Sequence, residues 1–338
     1  MKPSTKELNN LFYIRILIKG SINIKEVNVV AQNYFNEIMM DHSRTTAKSI
    51  TKNLQGRLLL VLFTFCSIYL AVFAWYTIGQ SSLPHVEVNF ININHGDSIL
   101  IRTSKGNTVL IDAGYPDAGT LDFLKLHKIT HLDTIVATHL HEDHIGGIPE
   151  VLRAIPVDKL IINGDSINST YYENFVNTAD ELDIRKRVVR TGDRIPLGEL
   201  FFKVLSPAKI RPHYANINSI VLLLKVGSVK FLFTGDTEKP EELRLLNSGI
   251  PLHADILKVA HHAGNTSTAP SFLEKIDPAV AIYSASNSFP GFPNQDIIDI
   301  LVLSGAKVYG TNFNGTITLN SDGKSYAIQT EYGLPILP

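Results

Sequence analysis

A dense cluster of histidine and aspartate is the feature that most narrows what this sequence can fold into. The segment THLHEDHIGG, residues 138–147, places His139, His141, Asp143 and His144 within six residues. It follows an apolar stretch and precedes a helical pattern, so these side chains share one strand-to-helix loop. Imidazole nitrogen and carboxylate oxygen suit zinc, manganese or iron. The segment therefore predicts a metal site, and a polar surface loop is the alternative reading.

Two further segments supply the same kinds of ligand. KVAHHAG, residues 258–264, carries His261 and His262 at the end of an apolar strand pattern, and FTGD, residues 233–236, ends a strand with Asp236. A lone histidine pair is weak support, and an isolated aspartate at a strand end is usually a cap. Together with the first cluster, however, these residues provide enough ligands for two metal ions.

Strand and helix patterns alternate along the residues after 85, which indicates an α/β or α+β domain. The two halves of this domain contain a weak internal repeat. ILIRTSKGNTVLIDAG, residues 99–114, is similar to VLLLKVGSVKFLFTGD, residues 221–236. Each has two apolar strands around a tight turn, and each precedes a histidine cluster. Two facing halves would bring both clusters to one edge, although two unrelated hairpins would produce the same pattern.

A second constraint is the uncharged apolar run LLLVLFTFCSIYLAVFAWYTI, residues 58–78, which is long enough to cross a bilayer as a helix. Lys48, Lys52 and Arg57 lie just before it, whereas residues 79–89 contain no Lys or Arg. Positive residues stay on the cytoplasmic side. We therefore expect a cytoplasmic segment at 1–57, an anchor in the cell membrane at 58–78 and an extracytoplasmic domain at 79–338. Met39 and Met40 suggest that residues 1–38 are an over-extended start.

The net charge of −1 is the sum of opposite charges on the two sides of this apolar run. Residues 1–57 carry a balance of +5 and residues 79–338 one of −6. The single cysteine, Cys66, lies in the apolar run, which excludes an internal disulfide and a multi-cysteine metal site. The domain must therefore bind metals through histidine and aspartate.

The run from 86 to 330 resembles the metallo-β-lactamase superfamily, and within it the C-terminal hydrolase domain of ComEC-type competence proteins. The segments that carry the resemblance are FININHGDSILI, TVLIDAG, THLHEDHIGG, NINSIVLLL, FLFTGD, DILKVAHHAGNTS and VYGTNFNGTITLNSDG. The resemblance implies a four-layer αββα sandwich, an α+β fold, with its metals at one edge between two sheets. It also implies two divalent ions, zinc or manganese.

The resemblance assigns a role to each motif position. His139 and His141 would bind metal one, Asp143 and His144 would bind metal two, and Asp236 would bridge both. One of His261 and His262 would complete metal two, with His262 favoured, while the other would face the substrate as a proton donor or carrier, a task that Asp143 could share. Asp112 would support the histidine loop from behind, and Asp97 matches a Gly-x-Gly-Asp element.

The sequence also departs from the family pattern. Asn218 and Ser219 stand where many members have a third histidine for metal one, and Asn218 could touch metal or substrate. Asn92 replaces an aspartate, and Gly291-Phe292-Pro293-Asn294 replaces a Gly-His-Pro-His element. Two histidines near the substrate mouth are therefore missing, which weakens any direct transfer of substrate preference.

The expected reaction is hydrolysis, in which a hydroxide bridging two ions attacks a phosphorus or carbonyl centre. We expect a membrane-anchored hydrolase of phosphodiesters, with DNA or nucleotides among the candidate substrates. An ester, amide or thioester hydrolase is the alternative, and a degenerate binding module is a third. The acidic domain argues against strong non-specific duplex binding unless a basic strip, Lys186, Arg187 and Arg190, or the metals offset that charge.

Overall fold

The computed structural model describes residues 47–79 and 85–333, together with positions 25, 28, 29, 32 and 33. The chain divides into two compact units, Met1–Gly79 and Gln80–Pro338. Apart from those isolated positions, residues 1–46 lie outside the described part of the chain, and the expected start at Met39 or Met40 lies there too.

The first unit contains one described helix, α1 (Ala47–Gly79). Its side chains are described over residues 57–73, and all of them are exposed. Within the described residues, no helix has the length and apolarity needed to cross a bilayer. The anchor expected at 58–78 therefore stays a prediction.

Eight strands of the second unit form the first sheet. They are β1 (Val86–Phe90), β2 (Ile99–Thr103), β3 (Thr108–Ile111), β4 (Thr134–Val136), β5 (Lys159–Ile162), β6 (Arg185–Val188), β14 (Ile317–Ser321) and β15 (Tyr326–Thr330). Their spatial order is β15-β14-β1-β2-β3-β4-β5-β6. Pairing is antiparallel from β15 to β3 and parallel from β3 to β6.

Seven strands form the second sheet. They are β7 (Arg194–Leu197), β8 (Leu200–Ser206), β9 (Val221–Val226), β10 (Val229–Phe233), β11 (Ile256–Lys258), β12 (Val280–Tyr283) and β13 (Lys307–Gly310). Their order is β13-β12-β11-β10-β9-β8-β7. Strands β7 to β10 pair antiparallel, and β10 to β13 pair parallel.

Helices cover the outer face of each sheet. Their bounds are α2 (Thr120–Leu126), α3 (Glu142–Ile145), α4 (Ile148–Ala154), α5 (Thr170–Glu181), α6 (Lys239–Asn247), α7 (Pro270–Ile276), α8 (Gln295–Leu303) and α9 (Thr311–Asn314). Helices α2, α4 and α5 pack on the first sheet, and α6, α7 and α8 pack on the second. A third apolar core, which includes Phe90 and Phe233, fills the space between the sheets. The expected αββα sandwich is confirmed.

The two similar segments form equivalent hairpins. In the first sheet, β2 and β3 pair antiparallel with Ile99 opposite Ile111, and in the second sheet β9 pairs antiparallel with β10. Each hairpin ends next to an aspartate, Asp112 or Asp236. The internal repeat in the sequence therefore corresponds to the two hairpins that each precede a carboxylate at the same edge of the sandwich.

Candidate metal centre

Four chain segments converge where strands end at one edge of the sandwich. Asp112 follows β3, the histidine loop follows β4, Asp236 follows β10, and the His261-His262 pair follows β11. Because β3 and β4 run parallel, as do β10 and β11, their carboxyl ends meet on the same side. Of these side chains, His141, Asp143, Asp236, His261 and His262 line a cavity of about 430 Å³.

Four residues form the largest group of possible metal ligands in the described chain, namely Asp143, His144, Asp236 and His262. Asp236 Oδ2 lies 3.2 Å from His144 Nε2 and 3.3 Å from His262 Nε2. His262 Nε2 is also 3.1 Å from Asp143 Oδ2. One carboxylate thus faces two histidines while a second carboxylate closes the group.

His139 lies beside the same carboxylate, and His141 lies beside His139. His139 Nε2 is 3.9 Å from Asp236 Oδ2 and 3.1 Å from His141 Nδ1. His139 is fully buried, whereas His141 reaches the cavity wall. Asp236 therefore lies beside imidazoles from two chain segments, His139 and His144 of the histidine loop and His262 of the turn after β11.

The donor set fits a divalent metal. Two ligands of tetrahedral zinc lie about 3.3 Å apart, given bonds of about 2.0–2.1 Å, and the three ligand pairs around His262 and Asp236 match this spacing. The buried Nε2 atoms of His144 and His262, and Oδ1 of Asp236, have no hydrogen-bond partner among the described residues. Buried polar atoms normally have one, so these atoms are positioned to receive a cation.

The electrostatics of the group also favour added positive charge. Burial alone would raise the pKa of Asp143, but His144 and His262 outweigh it and hold the pKa below its usual range. Burial alone would lower the pKa of His262, but Asp236 and Asp143 raise it to about 10. The carboxylates remain ionised and draw protons onto the neighbouring imidazoles, a demand for cations that bound metals would meet.

Asp112 contacts the histidine loop from the side away from the cavity. Its Oδ2 lies 2.8 Å from His144 Nδ1 and accepts the Thr138 hydroxyl at 2.6 Å, and its Oδ1 accepts the Thr138 N–H at 2.8 Å. A proton on Nδ1 of His144 leaves Nε2 free to face Asp236. Ser219 acts similarly, because its hydroxyl accepts the Asp236 N–H at 3.1 Å.

His261 and His262 lie on one tight turn, a 3₁₀ segment at Ala260–Ala263, and point differently. Both residues and Ala263 have positive φ, a conformation costly for residues with a Cβ. His262 points into the ligand group, while His261 Nε2 stays 4.0 Å from Asp236 Oδ2. The His261 ring bonds Thr266 through Nδ1 at 2.7 Å and lies 3.3 Å from Asn216 through Nε2.

Asp97 joins the centre through a buried ion pair with Lys258 at 2.8 Å. Its backbone N–H donates to the carbonyl of Asp143 at 3.1 Å. Gly96 permits this contact, because a Cβ there would lie 2.3 Å from the Asp143 carbonyl oxygen. The pair Lys258–Asp97 thus connects the loop before β2 to the ends of β4 and β11.

Asn218 is engaged away from the histidines. Its amide donates to Asp165 at 2.7 Å and to the Arg211 carbonyl at 2.9 Å, and it accepts the Arg211 N–H at 2.8 Å. The neighbouring Asn216 is the asparagine that reaches His261. Sequence reasoning singled out Asn218 and passed over Asn216, since both lie in the 3₁₀ turn Asn216–Asn218 and only side-chain direction separates them.

Sequence reasoning missed two cavity residues, His95 and Phe289, and noted Phe292 only within the segment Gly291-Phe292-Pro293-Asn294. His95 Nε2 lies 3.7 Å from Asp143 Oδ2, and Phe289 and Phe292 line the same wall. Burial, followed by the charge of His262, lowers the pKa of His95 to about 4. The position of His95 directly before Gly96-Asp97 could have indicated that it lies near the site. No spacing in the sequence, however, connects His95 with residues 289–292.

The comparison with protein families decides the identity of this centre. Residues 92–286, more than half of the chain, match the model of the metallo-beta-lactamase superfamily. The chain belongs to this superfamily. It is therefore a metallo-hydrolase, and its histidine–aspartate cluster indicates divalent metal binding.

Several curated proteins with longer chains are similar to this one. ComE operon protein 3 of Bacillus subtilis is 29% identical over 293 residues, which is 80% of this chain and 37% of that protein. Recombination protein 2 of Haemophilus influenzae is 28% identical over 81% of this chain and 34% of its own length. Endoribonuclease ysh1 of Schizosaccharomyces pombe is 24% identical over 57% of this chain and 28% of its own length. The chain thus spans about a third of the curated relatives it matches.

Proposed function

We propose that this metallo-hydrolase cleaves phosphodiesters at a centre of two divalent ions, zinc or manganese. The observation that carries the proposal is the position of Asp236. Its Oδ2 lies within 3.2–4.0 Å of ring nitrogens of His144, His262, His139 and His261. A carboxylate placed between two histidine groups is suited to bridging two ions.

In this assignment His139 and His141 would hold one ion, Asp143, His144 and His262 would hold the other, and Asp236 would contribute to both. When bound, such ions make water acidic near neutral pH and stabilise negative charge on the attacked group. Two neutral ligands on the first ion and a carboxylate-rich second site make the two positions chemically unequal. We therefore expect the second site to bind its ion more tightly.

His261 is positioned to handle a proton rather than a metal. Burial lowers its pKa, so the ring is neutral near pH 7. Nδ1 faces the Thr266 hydroxyl and Nε2 faces the Asn216 amide, an arrangement in which Nε2 is the proton acceptor. After accepting a proton at Nε2, His261 can return it to the leaving oxygen. Asp143, whose side chain is 13% exposed, is the second group that can exchange protons with the cavity.

The relatives' names favour phosphodiesters over carbonyl substrates. One is an endoribonuclease, and others are a recombination protein and a competence operon protein. The cavity can accept DNA or a nucleotide despite the acidic domain, because bound cations would offset the local charge. An ester, amide or thioester substrate is the competing assignment, since the same centre can stabilise a tetrahedral carbonyl intermediate.

We also propose that residues 58–78 anchor the enzyme in the cell membrane, with residues 1–57 cytoplasmic and 79–338 outside. This rests on the uncharged apolar run and on the basic residues before it. Protease added to intact spheroplasts should remove the domain and leave a membrane-bound fragment. A protected domain would contradict the orientation, and release of the intact chain by alkaline carbonate would contradict the anchor.

The functional test uses the full chain purified in detergent and loaded with zinc or manganese. We expect hydrolysis of bis(p-nitrophenyl) phosphate and of single-stranded DNA, but not of p-nitrophenyl acetate. His141→Ala and Asp143→Ala should each lower kcat/KM by at least about a hundredfold, since even groups behind the ligands are worth 10- to 100-fold. His131→Ala, an exposed histidine paired with Asp158, is the control. Activity on the ester alone would favour the competing assignment, and a metal-loaded protein inactive on all three would overturn the enzyme proposal.

A further inference from the structure

An aromatic cluster stands beside the metal centre, made of His95, Phe289 and Phe292. The rings of His95 and Phe289 stack with centroids 3.8 Å apart and planes 7° from parallel. Phe292 packs edge-on against His95 at 5.5 Å and lies 6.0 Å from Phe289. We call these three residues the aromatic wall.

The wall presents a free aromatic surface to solvent. Phe289 is 41% exposed, although one face of its ring is covered by His95. Its exposed area therefore includes the opposite face. A phenylalanine held by a stack on one side and open on the other is a ready surface for another flat ring.

The wall is held firmly against the catalytic residues. The Phe292 ring lies 5.1 Å from the His261 ring, and its Cε1 is 2.5 Å from where a Cβ on Gly264 would stand. Glycine at 264 thus lets Phe292 close onto the histidine turn. At the other end, His95 Nε2 is 3.7 Å from Asp143 Oδ2. The open face of Phe289 is accordingly one ring away from the metal ligands.

The rest of the cavity lining narrows the kind of ligand. Tyr115, Leu140 and Ile167 line it together with the wall and the metal ligands, and none of the described lining residues is Lys or Arg. A second phosphate would therefore find no lysine or arginine side chain there. A flat, uncharged group attached one sugar away from a phosphate fits this lining better, and nucleotides carry such a group.

We propose that the aromatic wall is a subsite for an unpaired nucleobase of the nucleotide next to the cleaved phosphodiester. This inference rests on the proposed phosphodiesterase activity and specifies its substrate as single-stranded nucleic acid. The base stacks on the open face of Phe289 while its phosphate lies at the metal centre. Loss of one such stack typically weakens binding about 5- to 150-fold.

The test compares two substrates on the metal-loaded full chain. One is single-stranded oligothymidylate, and the other is an oligonucleotide of the same length with abasic residues in place of every nucleotide. We expect the wild type to have a KM at least about fivefold lower for the first. Phe289→Ala should raise KM for oligothymidylate about 5- to 150-fold and leave both kcat and the abasic KM within twofold of the wild type. Phe289→Trp should restore the low KM.

Phe201→Ala is the matched control, because Phe201 is also 41% exposed but lies on β8 outside the cavity lining, under Arg194. It should behave as the wild type on both substrates. The subsite is overturned if the wild type does not distinguish the substrates, or if Phe289→Ala affects both equally or neither. A wild type that cleaves neither substrate contradicts the proposed function instead.

Discussion

A single carboxylate oxygen organises the candidate centre at the scale of residues. Asp236 Oδ2 lies close to four histidines, two on the loop after β4 and two on the turn after β11. The backbone N–H of Asp236 donates to the Ser219 hydroxyl. The histidines and Asp143 could be predicted because they cluster in the sequence, and Asp236 because it ends an apolar strand. The contacts of His95 and Lys258 could not, since each reaches its partner across a long stretch of chain and only tertiary packing brings the two together.

The support behind His144 gives a test at this scale. Asp112→Asn should lower zinc affinity and kcat/KM about 10- to 100-fold. The amide keeps one accepting oxygen and places an N–H group opposite one of the donors that Asp112 now satisfies, which are two from Thr138 and one from His144. Zinc titration by calorimetry measures the change. Asp255→Asn is the control, since Asp255 also accepts a backbone N–H, that of Lys230 at 2.8 Å, but does not line the cavity. Equal zinc affinities in wild type and Asp112→Asn would contradict this role.

At the scale of elements, loops carry the chemistry and strands position them. The loop before β2 packs on the histidine loop only because Gly96, at φ +105°, has no Cβ near the Asp143 carbonyl. Most strands and helices were predictable because their apolar faces are periodic. Strand β6 was not predicted as a strand, because all four of its residues, Arg185–Val188, are exposed and no apolar period exists. Strands β7 and β13 and helix α7 are short, and tertiary pairing defines them more than local pattern does.

Gly96→Ala tests the packing of this loop. We expect zinc affinity to fall at least about tenfold and the free energy of unfolding to fall by about 2–3 kcal/mol, because strained φ and a backbone clash add. Gly106→Ala is the matched control, since Gly106 has φ +88° in a hairpin turn and a Cβ there would contact nothing within 4 Å. Gly106→Ala should lower the free energy of unfolding by only about 1 kcal/mol and leave zinc affinity unchanged. Denaturant unfolding and zinc titration of both variants measure these two effects. If Gly96→Ala and Gly106→Ala lost the same zinc affinity, a specific clash at Gly96 would be excluded.

A buried glutamate on α6 connects this helix to the segment that precedes α7. Glu242 on α6 accepts the backbone N–H groups of Thr268 at 2.5 Å and Ala269 at 2.8 Å, just before α7. Burial outweighs these bonds and raises the pKa of Glu242 to about 7. The folded protein therefore holds this proton more tightly than the unfolded chain does. Stability should fall as pH rises from about 4.5 to about 7, by an amount on the order of 3 kcal/mol, and change no further above that window.

Glu242→Gln should remove this part of the pH dependence. Unfolding free energies measured between pH 4.5 and 8 should decline less steeply in the variant than in the wild type. Glu274→Gln, which changes an exposed glutamate on α7, should follow the wild-type curve. Parallel curves for Glu242→Gln and the wild type would show that Glu242 has an ordinary pKa.

At the scale of the whole molecule, two sheets enclose one core and present their strand ends at a common edge. The sandwich was predictable because the motifs of a known superfamily run in order along the chain, and the family match at 92–286 agrees with it. The aromatic wall was not, because its rings come from loops about two hundred residues apart in sequence. The basic residues before the apolar run, and the absence of Lys and Arg from residues 79–89, remain the basis for the proposed membrane orientation.

The metal content of the purified full chain tests the central claim most directly. After loading with zinc or manganese and desalting, mass spectrometry of the metals should find two ions per wild-type chain. Asp236→Asn should retain fewer than one, because the carboxylate that faces both histidine groups is lost. A wild type without stoichiometric metal, or an Asp236→Asn variant that keeps the wild-type content, would contradict the dinuclear centre.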